Sequence, residues 1–226
     1  MAVEENKNLL EISEREQYQT INELLAKSKP STSYYTLLVL SAFIVACGLL
    51  LNNASIVIGG MLVTPVLTPV LVVALALSTG ETGFLKNGIL LLIIKSFLIV
   101  FAGSLIMAFI FGASKEHFLF ENTIKTASLY FIVAVASGVA ATLAWTRKEI
   151  SEVLPGISIA VSLVVPTSLV GVSLASFNFE AVRFYFLVFV FNLLGIIMGS
   201  IIVFSLLKFY RAGERLHREN ISRPEY

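Results

Sequence analysis

NASIVIGGMLVTPVLTPVLVVALAL, residues 53–77, is long enough to cross a bilayer and carries no charge. Its middle is chemically broken. Pro65 and Pro69 stand within it, and Gly59 and Gly60 precede them. Proline has no amide hydrogen and clashes with the carbonyl four residues back. Pro65 therefore releases the carbonyl of Met61, and Pro69 releases that of Pro65. Hydrocarbon offers such a carbonyl no donor, so the break either packs against protein or faces a wet cavity. Thr64 and Thr68 each stand directly before one of the prolines. Interrupted crossing segments of this kind are where membrane transporters often hold substrate. The same residues also permit a plain kink, its carbonyls satisfied by neighbouring helices and by the two threonines.

The rest of the chain is in keeping with a membrane setting. Of 226 residues, 57% are hydrophobic and 14% charged, and the mean hydropathy is +0.87. Cys47, the single cysteine, sits in an apolar run and has no intrachain partner for a disulfide. We expect no nucleic-acid partner. Residues 1–33 read as a charged, amphipathic N-terminal helix that lies on the membrane surface or packs on another subunit. Residues 34–208 read as the membrane domain and 209–226 as a basic tail.

Six apolar segments follow in order: 34–51, 54–77, 88–111, 126–145, 153–175 and 182–207. Each approaches or exceeds the roughly 20 residues that span a bilayer core. Lysine and arginine set the orientation. With the N-terminus in the cytoplasm, twelve fall on that side and three (Lys115, Lys125, Arg183) outside, with Lys95 inside a segment. Both termini are thus expected in the cytoplasm, in a cell (inner) membrane. Tyr34, Tyr35, Trp145 and Tyr210 are expected at one membrane boundary, with Tyr130 and Tyr185 at the other.

The second and fifth segments align at a displacement of 101 residues, which puts Pro166 on Pro65. Ile157, Ile159, Leu163 and Val164 then match Ile56, Ile58, Leu62 and Val63. Three spans per half is odd, so the halves would be inverted. Interrupted helices at matching places in inverted halves are a transporter pattern. The expected fold is therefore all-α: six transmembrane helices in two inverted three-helix repeats, with helices 2 and 5 broken at proline.

At SIVIGGMLVTPVLTPVL the chain resembles the bacterial and archaeal integral-membrane family named domain of unknown function 389. Two further stretches carry the likeness: ASGVAATLAW through LPGISIAVSLVVPTSLVGVSLA, and FVFNLLGIIMGSIIVF around Asn192. The family commonly has two adjacent prolines in the fifth segment, where this chain has Val165-Pro166. The resemblance implies a polytopic, homo-oligomeric membrane protein and supplies no catalytic residues.

The candidate substrate-binding set is Thr64, Pro65, Thr68, Pro69, Pro166, Thr167, Ser168, Lys95 and Asn192. Lys95 lies about 12 Å into its segment, where it either snorkels to the interface or holds an anion. Asn192 either bonds a neighbouring helix or orients a ligand. Gly195, Gly199 and Gly138 mark close helix packing, within or between subunits. Arg211, Arg215 and Arg218 form an anchor that can also hold anionic lipid. No Asp or Glu falls inside a segment, which argues against a carboxylate proton or sodium relay. No Ser/His/Asp set can converge at membrane depth, and no histidine cluster suits a metal. We expect no enzyme and no cofactor. The leading expectation is a transporter or channel for a small neutral or anionic solute. The alternative is a non-transporting oligomeric scaffold or lipid-binding protein.

Overall fold

A computed structural model describes residues 12–85, 88–112, 124–147, 150, 152 and 163–211. The regular structure of these residues is helical throughout. The helices are α1 (Glu14–Lys27), α2 (Thr32–Leu50), α3 (Ala54–Val63), α4 (Leu67–Thr79), α5 (Ile89–Phe111), α6 (Ile124–Thr146), α7 (Val164–Ala175) and α8 (Phe179–Leu206), with a 3₁₀ turn at Thr82–Leu85.

Four of them, α2, α5, α6 and α8, are long and apolar enough to cross a membrane. The pair α3 and α4 adds a fifth crossing if its 57° bend is counted within one span. The protein is an all-helical membrane protein. The fifth apolar segment is only half visible, because 153–162 lies outside the described residues and α7 alone is short. Leu90, Leu91, Ile94, Leu98 and Ile106 line the open face of α5. In a membrane protein that shell meets lipid, so its exposure is not a defect.

Local chemistry sets the tight turns. Asn52 takes a left-handed conformation (φ 51°), which asparagine tolerates better than most residues. The amide of Asn53 then donates to the Gly48 carbonyl at 2.8 Å, which closes α2. The Asn53 side chain caps α3 by accepting from the amides of Ser55 and Ile56. The same device joins α7 to α8. Phe177 is left-handed (φ 54°), the Asn178 amide donates to the Ser173 carbonyl, and the Asn178 side chain caps α8.

Contacts between helices give their directions. The Tyr34 hydroxyl pairs with that of Ser96, and Ala42 faces Gly103, so α2 and α5 run parallel. Gly195 meets Phe131 and Ala134, and Gly199 meets Val135 and Val139, so α6 and α8 also run parallel. Helix α4 packs on α8 and α7 packs on α5. Thr68 through Ala76 of α4 are buried without interruption, so this apolar stretch lies at the centre of the bundle.

The structure refines some expectations and corrects others. Helix α1 packs on this chain itself, a partner not foreseen: Ile21 and Leu24 are buried, and the Gln17 amide donates to the Leu207 carbonyl at 2.9 Å. Tyr34 and Tyr185 are core residues rather than belt residues, because α5 and α7 cover the helix faces that carry them. Gly138, Gly195 and Gly199 pack as the sequence suggested, within the chain, at the α6–α8 contact.

A Cβ at Gly199 would overlap the Val135 carbonyl, whereas one at Gly59 would meet nothing within 4 Å. Gly199→Ala is therefore expected to lower stability by about 1–3 kcal/mol. Gly59→Ala is expected to leave it unchanged or slightly raised. Thermal unfolding of the two variants in detergent checks the contrast.

Candidate functional site

The α3–α4 break loosens three carbonyls. Thr64 turns to an extended conformation (ψ 133°) and no longer reaches the Gly60 carbonyl, as a continuous helix would require. The proline nitrogens of residues 65 and 69 cannot serve Met61 and Pro65. Each carbonyl finds a donor nearby. The Ser41 hydroxyl of α2 donates to Gly60 at 2.8 Å. The Thr64 amide turns back to Met61 at 3.4 Å. The Thr68 hydroxyl donates to Pro65 at 3.3 Å, and the Lys27 carbonyl of α1 lies 3.5 Å from the same oxygen. These three carbonyls are therefore met by protein groups, as in the plain-kink reading that the sequence also permits. The carbonyl of Ser162, which Pro166 would release, lies outside the described residues.

What the break does create is a helix start inside the bundle. Val66 and Leu163 are the N-cap residues of α4 and α7, and neither side chain can accept a hydrogen bond. Both helices thus begin without a side-chain cap, with the positive ends of their dipoles inside the bundle. Pro69 and Pro166 each occupy the third helical position, where a missing amide hydrogen is tolerated. Where the sequence alignment used 101 residues, the matching position of the two prolines in their helices suits a displacement of 97. It aligns Val66 with Leu163, Pro69 with Pro166, and left-handed Gly80 with left-handed Phe177. It also aligns the Thr79 hydroxyl bond to Leu75 with the Ser176 bond to Val172. The displacement of 101 matched one proline to another but ignored where each sits in its helix. Ile157 and Ile159 lie outside the described residues.

The two starts meet. Val66, Leu163, Val164 and Thr167 line one crevice together with Ile93, Ser96, Phe97, Val100 and Phe189. Its volume is about 10 Å³, room for about one water. Ser96 donates to the Leu92 carbonyl, and Thr167 to the Leu163 carbonyl at 2.7 Å. Of the candidate set only Thr167 lines the crevice. Thr64 and Ser168 carry buried hydroxyls with no hydrogen-bond partner. Thr68 turns to α1, and Asn192 is buried on α8. Lys95 is exposed on the outer side of α5 and does not join the others. Arg211 is exposed beside Tyr210, while Arg215 and Arg218 lie outside the described residues.

Ser41 was not foreseen, and Ser96 only as a neighbour of Lys95. Ile89, Leu92, Ser96, Val100, Ser104 and Ala108 are the buried residues of α5, spaced three or four apart. Hydroxyls recurring at that spacing in an otherwise apolar helix were the available signal.

The family described as domain of unknown function DUF389 matches residues 61–198. The chain belongs to this family. It is also similar to an uncharacterized protein of Methanocaldococcus jannaschii, 22% identical over 169 residues. That match covers 75% of this chain and 52% of the relative, so the chain spans about half the relative's length. No solved structure matches.

Ser41→Ala strips the Gly60 carbonyl of its donor and is expected to cost about 1–3 kcal/mol. Ser168→Ala removes a hydroxyl that bonds nothing and is expected to cost no stability. Denaturant unfolding in mixed micelles distinguishes the two.

Proposed function

We propose that this DUF389 protein is a transporter or channel for a small neutral or anionic solute. In this reading the membrane domain has six spans in two inverted three-helix repeats, with both termini cytoplasmic, and the protein works as a homo-oligomer without catalysis. The observation that carries the reading is the meeting of two proline-marked helix starts at one crevice. Exchanging the halves maps α4 on α8 to α7 on α5, and the parallel pair α2 and α5 to α6 and α8. Half-helices that start within the bundle in both repeats would aim their positive dipole ends at one substrate. Two positive dipole ends and no intramembrane carboxylate favour an acceptor-rich or anionic solute over a cation. In the conformation described the route is shut, because the crevice holds about one water.

The narrowness of that crevice and the satisfied carbonyls favour the second reading, an oligomeric scaffold or lipid-binding protein. Its contacts would have to use faces other than the glycines, which α6 and α8 consume within the subunit.

Flux into liposomes separates the two. Reconstituted protein is expected to pass at least one small anion or neutral solute well above the rate of protein-free vesicles. Val66→Phe, which fills the crevice, is expected to reduce that flux roughly tenfold or more, while Leu77→Phe on an exposed face leaves it unchanged. Rates equal to protein-free vesicles across a broad panel would leave the scaffold reading.

A further inference from the structure

Helix α1 lies across the ends of three membrane helices. Its Gln17 amide holds the Leu207 carbonyl at the end of α8. The Lys27 ammonium stands 4.6 Å over the Trp145 ring at the end of α6. The Lys27 carbonyl approaches the Thr68 hydroxyl in the first turn of α4, beside the break. Between these points Ile21 and Leu24 are buried at 2% and 0% exposure. The helix therefore covers the break from the side on which α6 and α8 end.

The seat differs from the bundle core. A polar hollow of about 130 Å³ lies between α1 and the end of α6, lined in part by Glu16, Thr20, Glu23, Thr146 and Arg147. It has room for several waters. Polar, water-accessible seams are where local opening is easiest, and here Ile21 and Leu24 are the dry anchors. Nor does α1 need the bundle to stay helical at its start: Ser13 and Glu16 form a reciprocal capping box, with the Glu16 amide donating to the Ser13 hydroxyl at 3.3 Å. Ser28-Lys29-Pro30-Ser31 links it to α2, a connection short enough to keep a displaced α1 close to its seat.

We propose that α1 is a detachable gate over the α3–α4 break, seated by Ile21 and Leu24 and by the Gln17 and Lys27 contacts. The proposal rests on the pathway reading above only in what passes the gate. Whether α1 controls access to the break is a separate, measurable matter.

The test uses the full chain in liposomes with Cys47→Ser and a reporter, Thr64→Cys, next to Pro65. A membrane-impermeant thiol reagent is added on the side bearing α1. Ile21→Ser with Leu24→Ser is expected to unseat α1, read on the same sample as faster hydrogen exchange across residues 14–27. The reporter is then expected to react roughly tenfold or more faster than with α1 seated. Equal reporter rates in a sample whose α1 has become exchange-labile overturn the gate. An α1 that stays protected despite both substitutions overturns its detachability. In the converse arm, Gln19→Cys and Thr146→Cys, which line the same hollow, are joined by a short bismaleimide. Joining them is expected to abolish solute flux, and flux unchanged by the joined pair overturns the gate. Faster reporter labelling without solute flux in any sample keeps the gate and discards transport, so the two failures are distinguishable.

Discussion

In hydrocarbon a main-chain carbonyl without a donor has nowhere to turn, and the whole arrangement around α3 and α4 follows from that constraint. Two prolines remove donors that a continuous helix would supply, and the chain replaces them one by one. Ser41 reaches across from α2, Thr64 turns back on its own helix, and Thr68 covers Pro65. The first replacement ties α2 to α3 at Gly60, and the last brings the end of α1 against α4. Beyond the break a new helix starts at Val66 without a side-chain cap, so the end of α3 presents acceptors and the start of α4 presents donors within one bundle.

The extents of the long helices were legible because hydropathy is a direct record of length in lipid. The sequence expectation 88–111 meets α5 at Ile89–Phe111, and 126–145 meets α6 at Ile124–Thr146. Which side of each helix faces inward was much harder to read. A soluble helix shows its core face by contrast with a polar one, and a span that is apolar all round gives no such contrast. Lys95 could be placed by depth but not by direction, and it points outward. Tyr34 was read as a belt residue on type and position alone, yet its hydroxyl is spent inside, on Ser96. For α1 the spacing of Ile21 and Leu24 identified a buried side, but nothing in the local pattern said that the partner was this chain's own α4, α6 and α8.

The two half-helices correspond in geometry and differ in chemistry. At the displacement of 97 residues, Val70, Leu71 and Ala76 of α4 stand opposite Thr167, Ser168 and Ser173 of α7. Helix α4 is thus dry on all sides, while α7 carries hydroxyls at equivalent buried positions. Ser168 and Ser173 have no hydrogen-bond partner. A buried hydroxyl in that condition costs about 1–3 kcal/mol, and packing alone would favour alanine at both places.

On the pathway reading proposed above, that asymmetry bears on which half would seal and which would admit. An element that must close against water does so most cheaply with aliphatic side chains, and α4 has them from Val70 to Ala76. It also receives the additional cover of α1, through Lys27 and Thr68, which has no counterpart over α7 among the described residues. An element that is wetted in part of its working cycle needs donors and acceptors that tolerate dry burial for the rest, and hydroxyls meet both demands at the smallest volume. On that reading the conformation described has the α4 side shut twice, by its own packing and by α1, while Ser168 and Ser173 of α7 have no hydrogen-bond partner among the described residues.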